Sequence, residues 1–282
     1  MTTPPRRAAV LGSPITHSLS PVLHRAAYAA LGLDGWRYDA HECDEAGLPR
    51  FVDGLGPEWV GLSLTMPLKR VALAVADRVS PLATATGAAN TLVLGPDGRF
   101  AENTDVAGIV AALRESGVRQ AGRAVVLGAG GTAQAALAAL RELGTVDPLV
   151  FVRDTGRAGE LRAAAERLGM SPRVEAALTD PERAAGALAD ADVVISTLPA
   201  GAADPLAATP WSRSTTVLDV VYAPWPTPPA AAAAEAGCAV VSGLAMLLHQ
   251  AVAQVELMTG HPGPVEAMRS ALDAVTAAQP PL

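Results

Sequence analysis

Ala124-Val125-Val126-Leu127-Gly128-Ala129-Gly130-Gly131-Thr132-Ala133 is the stretch whose reading decides the fold. Four apolar residues run into a glycine loop, and an alanine-rich segment follows to about Gly144. That order predicts strand, loop and helix in the G-x-G-x-x-A form of a dinucleotide fingerprint. Gly128 permits the tight turn, Gly130 lets a pyrophosphate approach the backbone, and the small Ala133 allows close helix–strand packing. The helix start then offers free N–H groups to phosphate, with Ala129, Gly131 and Thr132 completing the loop. Alone the spacing is a weak signal. Further strands expected at Leu149–Val152, Val174–Leu178, Val193–Ser196 and Val217–Val221, with helices between them, make it a doubly wound α/β pattern.

Cofactor choice turns on the end of the second of these strands, Phe151-Val152-Arg153-Asp154. Arg153 and Arg157 suit the 2′-phosphate of NADP, whereas an acidic residue suits the free ribose hydroxyls of NAD. Arg153 is the first polar residue to leave the strand, so NADP is expected and NAD is the alternative. Asp154 is then either solvated or a cap for the next helix.

Upstream the same alternation continues. Strands are expected at Ala8–Leu11, Trp36–His41 and Trp59–Leu64, and helices at Ser20 to about Ala30, Asp44 to about Asp53 and Pro67 to about Val75. Asn90–Leu94 and Arg99–Ala101 flank Pro96-Asp97-Gly98, a hairpin signal with turn chemistry. A helix from Thr104 to about Ser116 bridges to the second unit, and Ser242 caps a last helix from about Leu244 to Met258.

The length of 282 residues suggests two domains with ample core. Half the residues are hydrophobic and 17% are charged, which excludes a disordered chain. A net charge of −7 argues against nucleic acid or an anionic membrane as partner. Cys43 and Cys238 stand far apart without metal-ligand spacing, so neither a disulfide framework nor a metal is expected. No apolar run is long enough to span a membrane, and the run behind Arg6-Arg7 is too short for a signal peptide's hydrophobic region. The expectation is a cytoplasmic protein.

Lys69 is the only lysine among 21 basic lysine and arginine residues. The Ala-, Gly-, Pro- and Arg-rich composition fits a GC-rich coding sequence, which replaces lysine wherever any cation suffices. It cannot do so where the cation must surrender a proton, because a guanidinium stays charged. The alternative is one surface lysine left by chance. In Leu64-Thr65-Met66-Pro67-Leu68-Lys69 the amine is expected in a first helical turn, where the dipole disfavours a cation and a merely decorative lysine would be out of place. Asp105 is its expected partner, or else a complement to its own helix dipole. The only two asparagines, Asn90 and Asn103, lie beside the hairpin and this helix start. In Thr16-His17-Ser18-Leu19-Ser20-Pro21 two hydroxyls are spaced to donate to one carboxylate, although spacing alone favours Ser20 as a plain N-cap. His17 and His24 read as ordinary surface or packing histidines. Tyr222 follows a strand beside prolines, and Gln250 is an amide in an apolar helix, where it needs a partner.

Together these segments resemble the shikimate dehydrogenase family, in order, along nearly the whole chain. The resemblance rests on Gly12-Ser13-Pro14-Ile15-Thr16-His17-Ser18-Leu19-Ser20-Pro21, on Leu64 to Lys69, and on Gly87-Ala88-Ala89-Asn90-Thr91. It rests also on Asn103-Thr104-Asp105, the glycine loop, Tyr222-Ala223-Pro224 and Met246-Leu247-Leu248-His249-Gln250-Ala251. It implies two α/β domains: a substrate domain, residues 1–105 with 242–282 returning to it, and an inserted Rossmann-type NADP domain, residues 106–241. By the family pattern Ser18, Ser20 and Tyr222 hold a substrate carboxylate, and Thr65, Asn90 and Gln250 bind ring hydroxyls. Lys69 and Asp105 form the catalytic pair, with Asp105 also facing substrate, and Val220 and Gly243 lie near the nicotinamide.

The implied activity is reversible, NADPH-dependent reduction of 3-dehydroshikimate to shikimate in a cytoplasmic monomer or homodimer. The rivals are a quinate- or aminoshikimate-linked enzyme using NAD, a folate-linked dehydrogenase, and a non-catalytic sensor. Three departures from the family stand out. The cofactor motif Asn-Arg-Thr reads Val152-Arg153-Asp154, the Thr-Pro-Leu after the tyrosine reads Thr227-Pro228-Pro229, and Met66 replaces a valine.

Overall fold

The computed structural model describes residues 5–278. The chain divides into two compact units, one running up to Asp105 and resuming at Leu247, the other covering Val106–Met246.

In the first unit the strands are β1 (Arg6–Gly12), β2 (Trp36–Glu42), β3 (Trp59–Leu64), β4 (Arg78–Val79), β5 (Thr91–Gly95) and β6 (Gly98–Glu102). They lie in the order β2-β1-β3-β5-β6-β4. β1 pairs in parallel with β2 and β3, while β5 runs antiparallel to both β3 and β6. The ends of β1, β3 and β6 and the start of β5 therefore share one edge of the sheet. Side chains of a strand alternate between faces, and both faces here are covered. Ala9 and Leu11 join Leu62, Leu64 and Leu92 in one core, whereas Ala8 and Val10 join Tyr38, Val60 and Met258 in the other. That is why β1 reads as an unbroken apolar run.

The second unit holds β7 (Ala124–Leu127), β8 (Leu149–Phe151), β9 (Arg173–Glu175), β10 (Val193–Ser196), β11 (Thr216–Asp219) and β12 (Ala239–Ser242). Its order is β12-β11-β10-β7-β8-β9, and every pair is parallel. Counted from β7, that is the 3-2-1-4-5-6 order of a doubly wound dinucleotide sheet. The order reverses between β7 and β10, where the glycine loop leaves the sheet.

Several expectations need correction. β9 lies at Arg173–Glu175, ahead of the expected Val174–Leu178, and β12 and the helices Pro81–Thr86 and Val265–Ala277 were not foreseen. Ser20 is not an N-cap. The helix Ser20–Ala30 is preceded by Leu19, and no side chain caps it. Lys69 is not in a helical turn either, because its helix is only Val71–Val75. The Lys69 carbonyl accepts instead from Ala89 N–H at 2.8 Å, so the residue stands ahead of that helix rather than in its first turn.

His24 is completely buried, stacked on Tyr38 with ring centroids 3.9 Å apart, and burial lowers its pKa to about 3. It therefore folds neutral. Between about pH 3 and 6.5 the unfolded chain binds a proton that the folded chain refuses, so stability is lost as pH falls through that window. The expected slope is up to about 1.4 kcal/mol per pH unit. Denaturant unfolding of wild type and His24→Phe at pH 7 and pH 5 checks this: the two should diverge in pH dependence, and parallel losses would rule out His24 as the cause.

Candidate active site

The shared sheet edge of the first unit gathers most of the polar residues singled out in the sequence. Thr65 and Lys69 follow β3, Asn90 precedes β5, Asp105 follows β6, Ser18 lies on the loop after β1, and Ser20 opens the helix behind that loop. The β1 loop fits tightly over the β3 loop, since a Cβ on Gly12 would strike Thr65 Cγ2 and the Met66 carbonyl. Ser13 N–H binds that same carbonyl at 2.9 Å, and Leu64 N–H binds the Asn90 carbonyl at 2.7 Å.

Lys69 Nζ donates to Asp105 Oδ2 at 2.6 Å. Their side chains are 19% and 5% exposed, so the ammonium reaches solvent while the carboxylate is enclosed. Asn90 Nδ2 donates to the other oxygen, Asp105 Oδ1, at 2.8 Å and lies 3.3 Å from Gln250 Oε1. Asp105 opens the helix Asp105–Glu115, where the dipole favours a carboxylate, and Asn103 Oδ1 receives its N–H at 3.1 Å. Asn103 is itself fixed by donating to Thr86 Oγ1 and the Ala88 carbonyl. A buried carboxylate is thus held by an amide on one oxygen and an ammonium on the other, a geometry suited to steadying a proton donor.

The paired serines behave differently from each other. Ser18 is half-buried, and its Oγ accepts the Ser20 N–H at 3.4 Å. Ser20 is buried. Thr65 is half-buried, Gln250 is buried with Nε2 donating to the Leu247 carbonyl at 2.9 Å, and Met66 is 66% exposed.

In the second unit Gly128 has φ +108°, which glycine tolerates and other residues resist, and its Cβ would meet Thr197 Oγ1. Gly130 precedes the helix Gly131–Glu142, and a Cβ there would meet nothing, so the space before the helix start is open. Gly128, Ala129 and Gly130 line a cavity of about 290 Å³ together with Arg153, Asp154 and Arg157. Gly131 and Thr132 start the helix behind it. Asp154 Oδ1 accepts from Gly156 N–H at 2.8 Å and caps the turn Thr155–Arg157. Its capping duty leaves Arg153 and Arg157, both exposed at the rim, to set the charge of the mouth. A loop open at a helix start with two guanidinium groups beside it fits a dinucleotide bearing an extra phosphate.

Gly243 is buried, and any Cβ would collide with the Val220 carbonyl, so these two backbones need glycine to meet. Tyr222 is half-buried, and burial raises its pKa. Its loop is pinned by Asp219, which the sequence reading missed. Asp219 Oδ2 accepts from Thr227 Oγ1 at 2.7 Å and Oδ1 from Val221 N–H at 3.1 Å. Burial raises the Asp219 pKa. Thr227 also caps the helix Pro228–Glu235, so Thr227-Pro228-Pro229 is a structural element of the loop. Gln254 was missed too. It stands four residues beyond Gln250 on the same apolar helix, and the need of a buried amide for partners could have found it. Among the described residues no His, Cys, Asp and Glu group could hold a metal, both cysteines are free, and no helix is long and apolar enough to cross a membrane.

Residues 10–92 match the family described as the shikimate dehydrogenase substrate binding domain, and residues 243–272 match the shikimate 5'-dehydrogenase C-terminal domain. A relative from Symbiobacterium thermophilum named shikimate dehydrogenase (NADP(+)) is 36% identical over 98% of this chain and 97% of its own. The fold is similar to the crystal structure of Mycobacterium tuberculosis shikimate dehydrogenase, with TM-score 0.85 and 50% identity over 96% of this chain and 100% of that one. It is also similar to shikimate 5-dehydrogenase from Thermus thermophilus in complex with NADP(H) and shikimate. There the TM-score is 0.82 and the identity 33%, over 95% of this chain and 99% of that one.

Proposed function

This chain belongs to the shikimate dehydrogenase family, and on that premise we propose that Lys69 is its acid–base residue, held by Asp105. The activity is that of an NADP-dependent oxidoreductase interconverting 3-dehydroshikimate and shikimate. The observation that carries the proposal is the 2.6 Å contact between Lys69 and the buried Asp105.

When bound, the nicotinamide cofactor supplies the hydride. The residues supply orientation and charge. In the reductive direction one Lys69 ammonium proton passes to the ketone oxygen as the carbon is reduced, so that a neutral alcohol and a neutral amine result. The amine regains a proton from solvent, which its partial exposure allows. Asp105 keeps the ammonium aimed throughout, with its second oxygen occupied by Asn90. Ser18, Ser20 and Tyr222 take the substrate carboxylate, and Thr65, Asn90 and Gln250 take ring hydroxyls. Gly128 to Thr132 cradle the cofactor phosphates, Arg153 and Arg157 pair with the 2′-phosphate, and Val220 and Gly243 lie along the nicotinamide. The protein works in the cytoplasm as a monomer or homodimer.

Initial rates on shikimate and quinate, each with NADP+ and with NAD+, test this reading. Shikimate with NADP+ should give the highest kcat/KM. A preference for quinate, or ligand binding without turnover, would favour a rival. Ser18→Ala should raise the KM for shikimate about 10-fold, the worth of one hydrogen bond to a charged group. An unmoved KM would show that Ser18 does not hold the carboxylate.

A further inference from the structure

Behind Asp105 and Asn90 runs a file of buried polar side chains that the reaction as described does not use. Asn90 Oδ1 accepts from Thr104 N–H at 2.8 Å, from Thr104 Oγ1 at 3.1 Å and from Thr91 Oγ1 at 2.9 Å. A main-chain N–H can only donate, so the amide oxygen must face Thr104 and the NH2 must face Asp105. Gln254 Nε2 stands 3.0 Å from Thr91 Oγ1 and 3.3 Å from the Asn90 carbonyl. A carbonyl can only accept, so this amide is fixed as well, with Oε1 toward Ser63 Oγ at 2.8 Å and His24 Nε2 at 3.3 Å.

The remaining protons follow by elimination. Ser63 gives its hydrogen to Gln254 and takes the Tyr38 hydroxyl at 2.6 Å. Thr91 takes Gln254 Nε2 on a lone pair and gives its one hydrogen to Asn90. Donation thus runs one way, from Tyr38 through Ser63, Gln254, Thr91 and Asn90 to the Asp105 carboxylate. Ser63, Thr91 and Gln254 are at most 4% exposed, so water cannot substitute for any of them. Donors in such a series polarise one another.

We infer that Gln254 and Thr91 are positioning residues, which add a third donor to the Asn90 oxygen beside the two from Thr104 and so hold and polarise the amide whose NH2 binds Asp105 Oδ1, leaving Oδ2 to Lys69. This rests on Asp105 being half of the catalytic pair. Loss of that third donor would weaken the Asn90 bond to Asp105 Oδ1 and with it the aim of Oδ2 at the amine.

Thr91→Val keeps the shape and removes the hydroxyl, while Gln254 retains the Asn90 carbonyl and Asn90 Oδ1 retains both Thr104 donors, so the fold should survive. The expected result is a fall in kcat of about 10-fold with the KM for shikimate changed by less than about 3-fold. Thr91→Ser, which keeps the hydroxyl, should restore most of the rate. Gln254→Met should reproduce the Thr91→Val effect, and it decides the matter if Thr91→Val does not fold. In an Asp105→Asn background the Thr91→Val effect should vanish, because the file then has no carboxylate to serve. Wild-type kcat in both Thr91→Val and Gln254→Met, or an equal loss in the Asp105→Asn background, would overturn the inference. Unchanged turnover in Asp105→Asn alone would overturn the catalytic pair, a separate outcome.

Discussion

Lys69→Arg should lower kcat by about 10²-fold or more while changing the KM for shikimate much less. The arginine keeps the positive charge and, by its longer reach, a partner for Asp105 Oδ2, which the lysine meets at 2.6 Å. What it loses is a proton it can give away, because a guanidinium does not deprotonate in proteins. Electrostatic stabilisation of the developing alkoxide would survive the change, and the proton transfer would not. The substitution therefore separates charge from acidity at one atom. Steady-state rates with shikimate and NADP+, and with 3-dehydroshikimate and NADPH, measure it, and near wild-type turnover would remove Lys69 from the acid–base role.

Replacing Arg153 and Arg157 together by alanine should raise the KM for NADP+ about 10²-fold or more and leave NAD+ use nearly unchanged. Each charge-assisted hydrogen bond to phosphate is worth about 1.5–3 kcal/mol, and a tenfold change needs about 1.4 kcal/mol. Both guanidinium groups rim the cavity that the glycine loop also lines, and the prediction follows from the proposal that they pair with the extra phosphate, which NAD lacks. Asp154 does not compensate, because its carboxylate is committed to the Gly156 N–H. Kinetics with both cofactors read the ratio directly. If NAD+ use fell in parallel, the arginines would be supporting the loop rather than reading the phosphate.

How much of this was legible in the sequence depends on what fixes each feature. The glycine loop was readable because each of its demands, on φ at Gly128 and on space at Gly130, is local to one residue. The strand order around it follows from the crossover pattern. Lys69 and Asn90 were readable by rarity and Asp105 as the expected partner of Lys69, which it meets at 2.6 Å, although the bond from Asn90 to Asp105 was not, since it joins β5 and β6 across the sheet. The helix start expected at Pro67, with Lys69 in its first turn, was misread because a proline suggests a first turn. In the fold a tertiary bond from Ala89 claims the Lys69 carbonyl that a longer helix would need. Ser20 was misread as a cap because a proline follows it, whereas in the fold Leu19 holds the cap position, Ser20 opens the helix and no side chain caps it. β12 escaped notice as a four-residue strand with a glycine turn before it and a helix directly after. Gln254 is invisible to any local rule except the one that flagged Gln250, that an amide in an apolar helix must have partners.

Chemical rescue of Lys69→Ala tests the removable proton most directly. Truncation opens space beside Asp105, and small cations added to the assay can enter it. If a proton donor is what the site needs, methylammonium should restore turnover in proportion to its concentration, and guanidinium, equal in charge, should not. Equal rescue by guanidinium, or a Lys69→Ala enzyme that needs no rescue, would contradict the assignment.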